Sequence, residues 1–567
     1  MFSLKKPLLL ILAAAPLLAT AVDYAAEGKL WWEHIQFLAD DKLQGRNVGT
    51  PEFQQAVDYV ASHFQKLGLK PEGTAGYLQP IQFESRTLVQ EQSSLTLIRD
   101  GKEEPLALGA EATLSARADL APKLEAPMVF VGYGLVIPEA HWDELAGLDL
   151  KGKIAVYVNA PSPAEASGPV KSHLGSAAER WRVLHEAGAI GVATIAAGGR
   201  GGAAGAGRGG PPTDPPAAGA NPYRFGVTDE GNYAAATGRG AGGGRGAPQP
   251  SIGLADPALS ETTGMGVSVA ITARGADKIF AGSGHTFAEI QALARDNKPL
   301  PHFALIGTLR SQAVVKHHTL DSTNVVGMVP GSGKLKDEYV ILSAHLDHVG
   351  VGRPVNGDAI YNGAMDDASG IATILEVARL LKDSKFKVKR SVIFLAVTAE
   401  EKGELGSRYF AAHPTVPFNK IVADINLDMF LPLYPLKVIE VQGLMESTLG
   451  ETVKTAAAAD GVEVQVDQEP AENRFIRSDQ YSFIRRGVPA LAFKFGYQPG
   501  SPDETTRKNW VRDRYHKPSD DLSQPVDTAA AAKFDRIILR LMETVANDAA
   551  RPSWHQDSFF KRFATEP

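Results

Sequence analysis

The sequence predicts an α/β protein with a mixed, largely parallel central sheet flanked by helices and a smaller β-rich unit inserted into it. Three observations carry this reading. From about residue 300 the chain alternates apolar strands with helices: "EYVILSAHLDHVG", "ASGIATILEVARLL", "SVIFLAVTAEEKG", "KIVADINLDMF" and "VPALAFKFG" follow one another, and a helix over 527–548 closes the series. Near-continuous apolar strands belong to parallel sheets covered on both faces. The polar residues collect where these strands end, which is where such sheets bind ligands. Finally, 567 residues exceed one ordinary core.

The elements follow in chain order. Residues 1–21 read as a secretory signal: Lys5 and Lys6 start it, "PLLLILAAAPLLA" is its apolar stretch, and Ala19-Thr20-Ala21 is a small-residue cleavage site. An uncleaved anchor is the competing reading, but the stretch is short for a span and Pro16 interrupts it. Cleavage would remove two lysines and take the net charge from −7 to −9. An exported, periplasmic or secreted protein is expected, with no membrane attachment after signal removal.

Residues 51–67 predict a helix capped by Thr50, started by Pro51 and stopped by Gly68, with Phe53, Ala56, Val57, Val60, Phe64 and Leu67 on one face. A second unit is expected over 116–285. In it "PMVFVGYGLV" and "KIAVYV" read as strands, and "SAAERWRVLHEAGAIGVATI" as helix, turn at Gly188 and strand. Glycine-rich stretches at 198–212 and 238–250 interrupt this unit and read as flexible surface loops. An RNA-binding role for them is opposed by the export signal and sparse aromatics. Residues 22–115 and 286–555 would form the main unit, with 556–567 as a tail.

Composition narrows the chemistry. Cysteine is absent, so disulfides, thiolate metal sites and cysteine nucleophiles are excluded. Any metal must be held by His, Asp and Glu. The mildly negative charge argues against a general nucleic-acid binder. Three motif look-alikes fail. "HEAGA" has Ala189 where a second histidine belongs, "GMVPGSGKL" has Met328 and Leu335 at required phosphate-loop positions, and "GAGRGG" lies in low-complexity sequence.

Five short motifs remain: "AHLDH" with His345, Asp347 and His348; "GAMDDASG" with Asp366 and Asp367; "AEEKG" with Glu400 and Glu401; "NLDMF" with Asp428; and "RYHKPSDD" with Tyr515 and His516. Singly, each acid is more often a turn or cap residue. Together, hard carboxylates with imidazoles suit zinc, and their number fits two ions sharing a carboxylate and a water.

In order and type these motifs resemble the zinc-dependent exopeptidase family of the secreted bacterial leucyl aminopeptidases, whose relatives include glutamate carboxypeptidase and the transferrin receptor. The resemblance covers about 300–550 and the N-terminal "LQGRNVGTPEFQQAVDYVASHFQKLGLKPEG". The second unit resembles the protease-associated domain found inserted in that family. The resemblance implies two zinc ions, one held by His345, Asp366 and Asp428, the other by His516, Glu401 and a bridging Asp366. It implies Glu400 as the general base for metal-bound hydroxide, and Tyr515 as a stabiliser of the oxyanion. Asp347 and Asp479 would orient the ligand imidazoles. Asp367 would either support the site or cap the helix beginning at "ASG". Family members often carry His after the second of the orienting acids; Gln480 stands there, which would alter the pocket wall. His348 reads as solvated rather than as a pocket group.

The expected activity is removal of N-terminal residues from peptides. A carboxypeptidase or dipeptidase on the same site is the enzymatic alternative. A receptor-like binding protein is the non-enzymatic one, opposed by the complete ligand set. Side-chain preference and oligomeric state have no sequence signature here.

Overall fold

The computed structural model describes residues 22–196, 250–384 and 387–564. The expected signal segment lies outside them, as do the glycine-rich stretches apart from Pro250. Among the described residues no helix is long and apolar enough to cross a membrane.

A ten-stranded mixed sheet carries the main unit. At its centre strands Ser391–Val397, Tyr339–His345, Ile421–Asn426 and Ala490–Phe495 lie side by side and run parallel. The parallel character is concentrated there. On one flank the long strands Val315–Val329 and Leu78–Leu88 pair antiparallel. On the other, Val438–Gln442 joins antiparallel and Glu463–Val466 lies parallel beyond it.

The apolar runs have a clear cause. In Tyr339–His345, Val340, Leu342 and Ala344 enter the core on one face, while Ile341 enters a second core on the other. Ser391–Val397 divides likewise, with Val392, Phe394 and Ala396 against Ile393, Leu395 and Val397. Side chains alternate along a strand, so covering both faces demands an unbroken apolar run. The first face is covered by helices Tyr24–Leu38, Pro51–Leu67, Ser369–Asp383 and Thr528–Asn547. Helix Pro51–Leu67 has the predicted bounds: Thr50 Oγ1 accepts the Phe53 N–H at 3.1 Å, and Gly68 leaves the helix at φ 70°. Helix Tyr24–Leu38 was not anticipated. It buries Trp31, whose indole N–H reaches Thr373 Oγ1 at 3.1 Å.

The second unit has its own core around an eight-stranded sheet. This sheet is wider than 116–285. It takes in Ser94–Arg99 and Lys102–Leu106 before that span and His302–Gln312 after it. Ser94–Arg99 and His302–Gln312 alternate in burial, Lys102–Leu106 buries only Leu106, and none has a continuous apolar run, so the sequence marked them weakly. Strand Ser251–Leu254 leaves the second unit and pairs with Leu78–Leu88 in the main sheet. Of the expected tail at 556–567, the described residues 556–564 pack against the main unit. Phe560 is buried between Phe475 and Trp554, because an aromatic cluster at the C-terminus has apolar area to bury.

Candidate metal centre

The site forms where the central parallel strands end. Strand Tyr339–His345 delivers His345. The loop before helix Ser369–Asp383 delivers Asp366. The turn after Ser391–Val397 delivers Glu400 and Glu401, and the loop after Ile421–Asn426 delivers Asp428. His516 arrives from the far C-terminal part of the chain, after helix Pro502–Asp513.

His345, Asp366 and Asp428 converge. His345 Nε2 lies 3.2 Å from Asp366 Oδ1 and 3.7 Å from Asp428 Oδ1. The ring is prepared for ligation, since Nδ1 donates to the Asp347 main-chain carbonyl at 3.0 Å and leaves the Nε2 lone pair facing the acids. On the other side of Asp366, His516 Nε2 is 2.9 Å from Asp366 Oδ2 and 3.4 Å from Glu401 Oε1. Asp366 thus presents one oxygen to each imidazole. The peptide between Asp366 and Asp367 is cis.

Glu400 and Glu401 are separated by their backbone. Ala399 precedes them at φ 57°, and Gly403 and Glu404 follow at φ 105° and 56°. The tight turn turns Glu401 inward, fully buried, while Glu400 keeps a little solvent contact with Oε2 at 4.0 Å from His345 Nε2. Their acidities diverge. Burial pushes the Glu400 carboxyl well above the usual range; His345 opposes this, and Glu401, Asp479 and Asp428 add to it. Burial acts on Glu401 the same way, but His516 and His348 outweigh it and hold that carboxyl well below. His516 loses basicity to burial and regains more from Glu401 and Asp366, rising to about 10.

The orienting acids work differently from expectation. The Asp347 carboxylate accepts the N–H groups of Glu400 at 3.0 Å and Glu401 at 3.4 Å, so it braces the two-glutamate turn while its carbonyl orients His345. Asp479 makes no hydrogen bond to either imidazole; burial pushes its carboxyl up to about 7. Asp367 Oδ1 accepts the Gly370 N–H at 2.9 Å in the first turn of helix Ser369–Asp383 and the Met429 N–H at 3.2 Å beside Asp428. Gln480 is not a pocket wall. It is buried, accepts from Asn426 Nδ2 at 2.7 Å and donates to the Phe475 carbonyl at 3.0 Å. Tyr515 stacks on His516 with ring centroids 3.8 Å apart, and burial raises its phenol well above the usual value.

His348 is corrected too. It is fully buried, with Nδ1 at 2.7 Å from Glu401 Oε1 and its main-chain N–H tied to the Arg46 carbonyl at 3.3 Å. It groups with Asp366 and Glu401. Two further residues escaped sequence reading. Asp520 accepts the main-chain N–H groups of Met365 at 2.9 Å and Asp366 at 3.1 Å. Lys494 donates to the Asp428 carbonyl at 2.8 Å. The first acid of "SDD" and a lysine one residue from the end of a strand were visible, but nothing local marked either.

The donor set fits divalent cations. Glu401 Oε2 and His348 Nε2 are buried without a hydrogen bond, and Glu401 Oε1, Asp366 Oδ2 and Asp428 Oδ1 face imidazole nitrogens at 2.7, 2.9 and 3.7 Å. Such crowding of buried acceptors is costly unless a cation joins them.

An α/β sheet whose strand ends gather carboxylates and imidazoles around a shared aspartate is suited to holding divalent cations. Residues 324–542 match the model of peptidase family M28. Over its length the fold matches an aminopeptidase from Aneurinibacillus sp. strain AM-1, with TM-score 0.50, 20% identity, and 92% and 95% of the two chains covered. The chain is 30% identical over 200 residues to a probable leucine aminopeptidase 2 of Aspergillus oryzae, covering 34% of this chain and 38% of that protein. It is 35% identical over 121 residues to carboxypeptidase Q of Xenopus laevis, covering 21% of this chain and 24% of that protein. The chain thus spans well under two thirds of these curated relatives.

Proposed function

We propose that this protein is a zinc metallo-exopeptidase with two zinc ions, acting as an aminopeptidase on peptides. The observation that carries the reading is Asp366, whose two oxygens face His345 and His516 from one buried carboxylate. His345, Asp366 and Asp428 would hold one ion, and Asp366, Glu401 and His516 the other. When bound, the ions would polarise the scissile carbonyl and make water acidic enough to attack it.

The chain supplies the rest. Glu400 is the general base, taking the proton of the attacking water and delivering it to the leaving amine. Its raised proton affinity suits a group that must take up a proton and release it within one cycle. The Tyr515 hydroxyl donates to the oxygen on which charge develops. Asp347, by bracing the Glu400 N–H, holds the base in place.

Residues 1–21 act as an export signal in this reading, and the second unit is a protease-associated domain. Support comes from the terminal sequence pattern and from the separate core of that unit.

The test is turnover of aminoacyl chromogenic substrates with and without a chelator. Chelation should abolish activity and zinc should restore it. Glu400→Gln should retain zinc and lose about 10²–10⁴-fold in kcat; near wild-type turnover would overturn the role of Glu400. The likeness to carboxypeptidase Q gives the second reading its footing. Cleavage of N-acetylated peptides, with C-terminally amidated ones resisting, would establish it.

A further inference from the structure

Arg46, in the N-terminal "LQGRNVGT", is fully buried although it lies 300 positions before Leu346 in the first metal-ligand motif. Its guanidinium makes four hydrogen bonds, all to main-chain carbonyls: Nε to Leu346 at 2.9 Å, Nη1 to Leu38 at 2.7 Å and Asn362 at 2.6 Å, and Nη2 to Gly363 at 3.0 Å. The acceptors are telling. Leu346 sits between His345 and Asp347, and Asn362-Gly363 lead into Asp366. One planar side chain therefore ties the loop carrying one imidazole ligand to the loop carrying the shared carboxylate. The Arg46 carbonyl also accepts the His348 N–H at 3.3 Å.

The backbone is shaped for this reach. Gln44, Gly45 and Arg46 are all left-handed, at φ 46°, 69° and 46°. A Cβ on Gly45 would fall 2.2 Å from the Tyr361 carbonyl, so the segment is pressed against the strand leading to Asn362. No carboxylate lies within ion-pair distance of Arg46 among the described residues. Its charge is felt instead by Asp347, Asp520, Asp366 and Asp367. Five fixed donors on a plane suit several carbonyls at once, whereas a lysine ammonium offers three from a point.

We propose that Arg46 is a positioning residue of the metal centre: it sets the spacing between the His345 and Asp366 loops and supplies a buried positive charge beside them. The inference rests on the reading of the site as a two-metal centre.

The experiment titrates purified apo-protein with Co²⁺, following visible absorption, for wild type, Arg46→Ala and Arg46→Lys, with thermal melts confirming the fold. Arg46→Ala should lose at least tenfold in affinity for an ion, with a changed cobalt spectrum, and kcat should fall while KM stays nearly constant. Methylguanidine should restore part of the affinity, and Arg46→Lys should fall between. A folded Arg46→Ala with wild-type Co²⁺ affinity and spectrum overturns the proposal. If Arg46→Ala does not fold, Arg46→Lys decides: a wild-type affinity and spectrum overturns it equally. A wild type that binds no Co²⁺ or Zn²⁺ would instead remove the two-metal reading beneath it.

Discussion

Glu400 and Glu401 are neighbours in sequence and differ in everything else. One is turned into a nest of imidazoles that stabilise its charge; the other faces buried carboxylates that oppose it. Their identities alone carry no hint of this, since the asymmetry comes from the turn that Ala399 and Gly403 make. Gly370 shows the same dependence on surroundings. A Cβ there would stand 1.9 Å from the Leu427 carbonyl and 2.4 Å from Asp367 Oδ2. Gly370→Ala should therefore push helix Ser369–Asp383 off the strand end that leads to Asp428. We expect a loss of about 3 kcal/mol, read by denaturant unfolding, together with weaker metal binding.

At the level of elements, the helix Pro51–Leu67 is a local object. Its cap, its first-turn proline and its glycine stop are all written within eighteen residues of one another. Thr50→Ala should cost about 1 kcal/mol by the same unfolding assay, with activity unchanged, because the cap bond is lost and nothing at the site moves. The C-terminal turn Phe559–Phe563 is the opposite case. Phe560 is fully buried only because Trp554 and Phe475 meet it from elsewhere. Phe560→Ala should cost about 3–5 kcal/mol, a loss that would not follow from removing a solvated tail.

Across the whole molecule, the two units meet at His173. This histidine belongs to helix Gly168–Leu174 of the second unit, and its Nδ1 pairs with the hydroxyl of Tyr481, two residues after Asp479. Phe559 and Phe563 close around the ring. Burial holds the imidazole down to about 4; Glu179 opposes this, while Arg485, Arg562 and Arg182 add to it. An unfolded histidine titrates near 6.5, so between pH 6.5 and 4 the unfolded chain binds a proton that the folded chain refuses. Stability should fall as pH drops through that window, by up to ~3 kcal/mol from this group. Melting temperatures at pH 7.5 and 4.5 should differ more for wild type than for His173→Gln. An equal difference in both would show that the interface does not titrate in this way.

The sequence by itself determined the order and type of the central elements. An apolar strand between two covered faces, an amphipathic helix and its caps are patterns of local spacing, and they were legible for that reason. The motif residues at the strand ends were legible as well, because their residue types are rare in that combination. Tertiary structure alone decided which of them touch. His516 is brought to Asp366 across a separation of 150 positions, Arg46 reaches loops some 300 residues away, and His348 is drawn from presumed solvent into the core. It also decided that Gln480 and the Asp347 carboxylate serve the scaffold rather than the pocket or the ring. Contact partners are set by packing over the whole chain, and no local pattern encodes a neighbour that arrives from the other end.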